Sequence, residues 1–195
     1  SKVLKIWSGL GYNRRAKYLH SAAKEFTKKP LEELPGVGPY TAKAVAVFAY
    51  NKREILIETN IRTVFIHYGF KNRRKLDSLI SDAEIMPLVA RALFKSRMSP
   101  RDFYAALMDY GSYLKQKGIK LNIKSKHYTK QSKFKGSERE LRGAVLRELL
   151  KEPRTVDQLI EQTGRTKTEV ARVLAALSSE GMITLQGRRF GILNR

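Results

Sequence analysis

The chain contains no cysteine in its 195 residues. That excludes disulfides, thiol catalysis, cysteine-type zinc sites and cysteine-ligated iron–sulfur clusters. Acid is also scarce: 18 Asp and Glu stand against 39 Lys and Arg, a net charge of +21 with a sequence pI near 10.3. Such an excess repels itself unless a polyanion offsets it, and nucleic acid is the usual one. A solubilising or ribosome-associated surface is the blander alternative. No apolar run approaches the ~20 residues needed to span a bilayer, and no secretory leader is visible. An intracellular protein, cytoplasmic or nucleoid-associated and without membrane contact, is expected. What remains is globular: 42% of the residues are hydrophobic, enough for one medium core or two small ones.

The first half reads as all-α. Apolar residues at helical spacing predict helices over Lys2–Ser8, Asn13–Phe26, Leu31–Glu33, Tyr40–Tyr50, Asn60–Tyr68, Ser81–Ala92 and Pro100–Lys115. A short apolar run at Glu54–Ile57 reads as a buried connector. The chain opens at Ser1 already inside a helical pattern of Val3, Leu4, Ile6, Trp7 and Leu10. A preceding segment, or a complementary chain, is therefore expected as a partner. From Lys115 to Arg139 lysines are interleaved with Tyr113, His127, Tyr128 and Phe134, with almost no acid. This is either a solvated linker or a segment that tracks phosphates.

A second small domain follows. Ser137 with Glu140 is a capping box opening a helix with Leu141, Val145, Leu146 and Leu149 on one face, and Pro153 stops it. Thr155–Gln162 forms a short helix, Gly164 the turn, and Thr166–Glu180 a longer helix. Met182–Leu185 and Arg189–Leu193 alternate around Gly187 as a hairpin. This order is that of a winged helix, whose second motif helix normally lies in a major groove. Here that helix offers Arg165, Lys167, Thr168 and Arg172, and the wing offers Arg188 and Arg189; protein contacts are the alternative use. The expected layout is 1–114 helical domain, 115–136 basic linker, 137–195 winged helix.

The most informative string is Leu34-Pro35-Gly36-Val37-Gly38-Pro39-Tyr40-Thr41-Ala42. Two glycines allow a tight turn between helices, and the second helix begins with outward N–H groups that can bind a phosphate without reading sequence. Flanked by helices, this is the helix-hairpin-helix motif; a purely structural helical hairpin is the alternative reading.

Three further segments carry a family resemblance. Trp7-Ser8-Gly9-Leu10-Gly11-Tyr12-Asn13-Arg14-Arg15-Ala16-Lys17-Tyr18-Leu19 resembles the W-x-G-L-G-Y-x-x-R-A-x-x-L signature of adenine DNA glycosylases. Glu58-Thr59-Asn60-Ile61-Arg62-Thr63-Val64 stands where that family has D-x-N-V-x-R-V. Ala106-Leu107-Met108-Asp109-Tyr110-Gly111 is similar to its M-D-L-G segment. The resemblance covers about Val3 to Gly111. It implies a mainly α fold, a helix-hairpin-helix glycosylase domain followed here by the winged helix. It also implies an enzyme that flips a damaged or mispaired base out of double-stranded DNA and cleaves its bond to the sugar.

By the same resemblance, the carboxylate that faces positive charge on the sugar, or positions water, is Glu58. The residue pattern agrees, since Glu58 precedes a helix capped by Thr59 or Asn60, and a helix N-terminus favours an ionised carboxylate. The plainer alternative is an ordinary acid in a first helical turn. Tyr12 matches the tyrosine that wedges into the base stack. Tyr40 stands where strand-cleaving relatives keep a Schiff-base lysine, so base removal without an efficient lyase step is expected; Lys43 is a weak substitute. The DNA-facing set is Tyr12, Arg15, Gly36, Val37, Gly38, Thr41, Asn60 and Arg62. The carbonyls of Glu32, Leu34 and Val37 match a monovalent-cation site for Na⁺ or K⁺.

The chain departs from the family in four ways. Glu58 replaces its aspartate, the four-cysteine cluster is absent, the family's N-terminal helices with their adenine-protonating glutamate are missing, and a winged helix replaces the domain that recognises oxidised guanine. The expected function is thus base-excision DNA repair by a monofunctional glycosylase of adenine- or thymine-mismatch type. The alternative is a catalytically silent DNA-binding or regulatory protein.

Overall fold

A computed structural model describes residues 2–7, 9–73, 78–131 and 133–193. Ser8, which ends the expected first helix and belongs to its motif, lies outside the described residues, as do Ser1, position 132 of the basic segment and the last two residues of the second domain. The described chain is mostly helical, with one two-stranded sheet. It divides into two compact units, Ser1–Gly36 with Gln131–Arg195, and Val37–Lys130. These boundaries differ from the expected divisions at 114 and 136.

In the unit Val37–Lys130, helices α3 (Pro39–Phe48), α4 (Thr59–Gly69), α5 (Asp82–Lys95) and α6 (Pro100–Gln116) enclose one core. That core holds Val47, Leu56, Ile61, Ile66, Ile80, Ile85, Val89, Leu93, Phe103 and Tyr104. Helical spacing explains it: Ile61, Val64 and Ile66 line the inner stripe of α4, and Ile85, Val89 and Leu93 that of α5. The expected connector is buried at Leu56, and the Tyr104 hydroxyl accepts from Leu56 N (3.0 Å) while donating to Glu54 O (2.8 Å). A single phenol thus satisfies the polar backbone of a segment that has no ladder of its own.

The basic segment is not all linker. After α6 the chain makes a 3₁₀ turn at Leu121–Lys124, with Leu121 packed against the core and Ser125 buried. Ile80 N donates to Lys124 O and Lys126 N to Ile80 O, both at 2.8 Å. Asn122 Nδ2 donates to the buried Thr63 Oγ1 at 2.8 Å, fastening the turn to α4. Leu121, Asn122 and Ser125, set among lysines, give this stretch an inner side that its charge conceals in the sequence, while Ile123 stays exposed.

The other unit combines α1 (Lys2–Trp7), α2 (Asn13–Glu25) and a 3₁₀ turn at Leu31–Glu33 with the winged helix. The latter is α7 (Glu138–Lys151), α8 (Val156–Thr163), α9 (Lys167–Ser179) and the antiparallel β1 (Ile183–Gln186) and β2 (Arg189–Ile192). Capping boxes at Thr155/Gln158 and Thr166/Glu169 start α8 and α9, and Gly164, at φ 62°, ends α8. Its core gathers Leu141, Val145, Leu149, Leu159, Val170, Leu174, Leu177 and Met182. The helix α2 is fastened here through Glu180, at the end of α9. Its carboxylate meets Arg14 at 2.6 Å and also Arg142, while its carbonyl accepts from Lys17 Nζ. Burial alone would raise this carboxyl, but the hydrogen bonds from Arg142 and Arg14 hold it below its ordinary range.

Replacing Tyr104 with phenylalanine should cost about 1–3 kcal/mol, because it leaves the buried Leu56 N–H without an acceptor while keeping the ring. Chemical denaturation measures this; an unchanged midpoint would remove the phenol from its place in the connector.

Candidate DNA-facing site

The site is built on the N-terminus of α4. Glu58 is itself the N-cap: its Oε1 accepts from Asn60 N at 2.6 Å and from Ile61 N at 2.9 Å. This corrects the expectation of a cap by Thr59 or Asn60. Thr59 is exposed and its carbonyl accepts from Thr63 Oγ1, while the Asn60 side chain turns to α6 and accepts from Lys115 Nζ at 2.6 Å. The longer arm of a glutamate lets it fold back onto its own helix, a task for which shorter side chains are commoner. Both described bonds fall on Oε1, and Oε2 takes none of the described hydrogen bonds.

Tyr40, on the first turn of α3, is half exposed. Burial and the charge of Glu58 push its phenol up, opposed by Arg62. Tyr40, Glu58 and Arg62 therefore share one electrostatic neighbourhood, as the expected roles of the first two require. Arg62 does not keep its expected role as a free DNA contact. Its Nε and Nη2 are held by Asp82 Oδ1 and Oδ2 at 2.6 and 2.7 Å, a fork-to-fork pair with both partners largely covered. It joins α4 to the start of α5, and His127 Nε2 stands 3.8 Å from the same Asp82. The sequence analysis did not single out Asp82, since a partner 20 residues away leaves no local signal.

Gly111 explains its segment. A Cβ there would lie 2.4 Å from Asn60 O, so the absence of a side chain lets α6 reach the first turn of α4. The motif's glycine is thus a packing device against Asn60, two residues after Glu58.

Around the first motif, Trp7 Nε1 donates to Gly11 O at 2.8 Å and closes the loop. Tyr12 follows in the left-handed region at φ 47° and is 62% exposed. A left-handed non-glycine residue is uncommon and strained, and such positions gather at functional sites. The Arg15 guanidinium lies 5.4 Å from the ring centre, and Gln131 Nε2 donates to the Tyr12 hydroxyl at 2.8 Å. Gln131 was not foreseen, because the charge run hid it.

In the hairpin, Gly36 sits at φ +78° and a Cβ would meet Tyr18 at 2.6 Å, so this glycine serves packing as well as the turn. Gly38 is the N-cap of α3, has open space around it and supplies no side-chain cap. Pro39 follows at the first helical position, leaving the amides of Tyr40 and Thr41 at an uncapped end. Val37 is half-buried and Thr41 exposed.

The winged helix departs from expectation at its motif helix. Arg165 is spent internally, on Glu140 (3.1 Å), Glu169 (3.3 Å) and Gly136 O (3.2 Å), so it is not available as a groove contact. Arg172 lies 3.8 Å from Glu138 and stays exposed, as do Lys167, Thr168, Arg188 and Arg189. Residues 137–195 carry 11 Lys and Arg against 8 Asp and Glu, whereas residues 1–136 carry 28 against 10. The basic excess lies in the glycosylase-like part.

Comparison with known proteins agrees on both parts. The DprA winged helix domain family matches residues 136–186. The adenine DNA glycosylases of Mycobacterium tuberculosis and Mycolicibacterium smegmatis are each 35% identical to this chain, over 122 and 125 residues. Those stretches are 56% and 57% of this chain and 38% and 40% of theirs. The human adenine DNA glycosylase is 28% identical over 122 residues, 57% of this chain and 22% of its own length. The chain therefore spans about two fifths of the length of its mycobacterial relatives. The resemblance to helix-hairpin-helix DNA glycosylases, and to the adenine-specific group among them, is borne out, as is the winged helix. Among the described residues no helix is long and apolar enough to cross a membrane.

Gly111→Ala should destabilise the protein by about 1–3 kcal/mol or more, since the obstructing atom is backbone and cannot swing aside. Thermal unfolding reads the loss, and hydrogen exchange should quicken first at Asn60 and Ile61. A variant as stable as the parent would show that α4 and α6 have room to spare.

Proposed function

We propose that the chain supplies the duplex-binding and base-excising face of a DNA repair glycosylase acting on mismatched adenine or thymine, without a strand-cleaving step. One observation carries this reading: the Glu58 carboxylate is held by two amides at the start of α4, in the electrostatic reach of Tyr40. The chemistry follows from that placement. As the bond from C1′ to the base nitrogen breaks, its electron pair leaves with the base and positive charge spreads over C1′ and the ring oxygen. Glu58 is fixed before the charge appears, so no reorganisation is needed when it does. Water then adds at C1′. Tyr40 has no amine, so the covalent imine that precedes strand cleavage does not form there.

Binding to double-stranded DNA rests on the uncapped amides at the start of α3, on Tyr12 as the wedge and on the basic excess of residues 1–136. Lys167, Thr168, Arg172 and Arg188 add exposed contacts from the winged helix. The carbonyls of Glu32, Leu34 and Val37 are the hard oxygen donors that Na⁺ or K⁺ accepts, and that cation remains part of this proposal, as does independence from an iron–sulfur cluster. DNA is also what places the protein's work inside the cell.

Glu58→Gln should slow base release by about 10²–10³, because the side chain keeps its shape and loses its charge. The assay is single-turnover release from duplexes carrying adenine opposite guanine or oxidised guanine, and thymine opposite guanine. Duplex affinity should hold or tighten slightly. Release at the parent rate would remove Glu58 from the chemistry; no release by the parent on any duplex would favour the silent DNA-binding alternative.

Gly38→Ala should weaken binding to all duplexes alike without lowering the melting temperature, because its Cβ enters open space where a phosphate would approach. Gly36→Ala, which meets Tyr18, should instead lose stability. Equal affinity for Gly38→Ala and the parent would take the hairpin out of phosphate binding.

A further inference from the structure

Helices α4 and α6 carry an aromatic row that the proposed chemistry does not use. Tyr68 and Tyr110 are stacked with ring centres 6.2 Å apart and planes 18° from parallel, and Tyr110 and Tyr113 follow at 6.0 Å and 23°. The hydroxyls of Tyr68 and Tyr110 are hydrogen-bonded at 2.5 Å, and the His67 ring meets Tyr68 edge-on. Yet the three residues are 63%, 39% and 49% exposed. Large aromatic rings held in register but left wet indicate a surface made for contact.

The charge around the row selects the occupant. Lys117 Nζ stands 5.5 Å from the centre of the Tyr113 ring. Along the sequence the same unit continues with the exposed Lys120, Lys126 and Lys130, while Lys124 is held by the Arg73 carbonyl at 2.7 Å, and no acid occurs in the sequence between Tyr110 and Ser137. Parallel aromatic faces bordered by cations are the composition of a platform for unpaired bases: every base has a face to stack, and the ammonium groups track the backbone. Duplex DNA, whose bases are already stacked, has no use for such rings.

We propose that Tyr68, Tyr110 and Tyr113, with Lys117, form a binding site for single-stranded DNA. The site is independent of base removal and stands or falls separately from the role of Glu58. The hydroxyl bond between Tyr68 and Tyr110 fixes the spacing of the platform, and the rings supply the affinity.

The test is fluorescence-anisotropy binding of a short labelled oligothymidylate, and of a blunt duplex, to the full chain. Tyr110→Ala with Tyr113→Ala should lower single-strand affinity by about tenfold to a hundredfold and leave duplex affinity within about twofold. The matching phenylalanine pair, which keeps both rings, should bind the oligothymidylate within a few-fold of the parent. Melting temperatures establish that the variants are folded; should the alanine pair unfold, the half-exposed Tyr113→Ala alone should still lose several-fold. Alanine variants that bind the oligothymidylate like the parent overturn the proposal. So does an equal loss on duplex and single strand, or a parent dimer in sedimentation that the alanine pair abolishes, which would make the row an interface between two copies.

Discussion

The first turn of α4 is the constraint from which the rest of its unit follows. Three groups converge on it. Glu58 folds back to satisfy its amides, Lys115 reaches Asn60 from α6, and the bare Cα of Gly111 lets that helix come within a distance no side chain would permit. One turn further on, the Arg62–Asp82 pair ties the same helix to α5, and Thr63 receives Asn122 from the turn after α6. A helix end so thoroughly tied cannot fray, and a carboxylate mounted on it keeps its place without help from a ligand. Such pre-set geometry is what electrostatic catalysis requires, and it commits the Arg62 guanidinium and the Asn60 side-chain Oδ1 to partners within the protein.

In the other unit Glu180 has the comparable part. It is the only acid described at the junction where Arg14 and Lys17 of α2 meet Arg142 of α7, so the loss of its charge would leave three cations facing one another. The winged helix is consequently no pendant module to α2. Four of its basic residues are paired within the domain: Arg142 with Glu180, Arg154 with Glu152, Lys151 with Glu148 and Arg165 with Glu140 and Glu169. A winged helix in which Arg165, just before the motif helix, is neutralised in place has one base-reading side chain fewer. What it still presents is Lys167, Arg172 and the wing arginines, a set suited to phosphates, which carry no sequence information.

Much of this was legible in the sequence, and the residues show why. Helices with a one-sided apolar stripe, such as Asp82–Lys95, and those opened by a capping box, such as Lys167–Ser179, announce themselves through local spacing. So did the turn at the hairpin glycines, whereas Glu58 was singled out by resemblance and its part as the N-cap of α4 was assigned to its neighbours. The missed features depend on partners distant in the chain. Asp82 reads as helix-start acid until Arg62 is placed beside it, and Lys115 reads as one of a charge run until it meets Asn60. The anchoring of Leu121–Ser125 was hidden because lysines dominate the stretch and two of its anchors, Asn122 and Ser125, are polar. The tyrosine row was hidden for a related reason: Tyr68 lies 42 residues from Tyr110, and only the packing of α4 on α6 brings them into register.

The proposed absence of strand cleavage gains support from the same geometry. A lyase step needs an unprotonated amine beside C1′ that can form an imine with the sugar carbon. Tyr40 has no amine, and burial and the charge of Glu58, opposed by Arg62, push its phenol up and keep it neutral. Lys115, the amine that α6 brings to the first turn of α4, is tied at 2.6 Å to Asn60 Oδ1, and leaving that bond would unfasten the contact that Gly111 makes possible. Lys43 is exposed, one turn along α3 from Tyr40. On this reading the glycosidic carbon is left to water, and the glutamate in place of an aspartate is suited to that outcome: one oxygen is consumed by the helix, and the other remains for the sugar or for the water that attacks it.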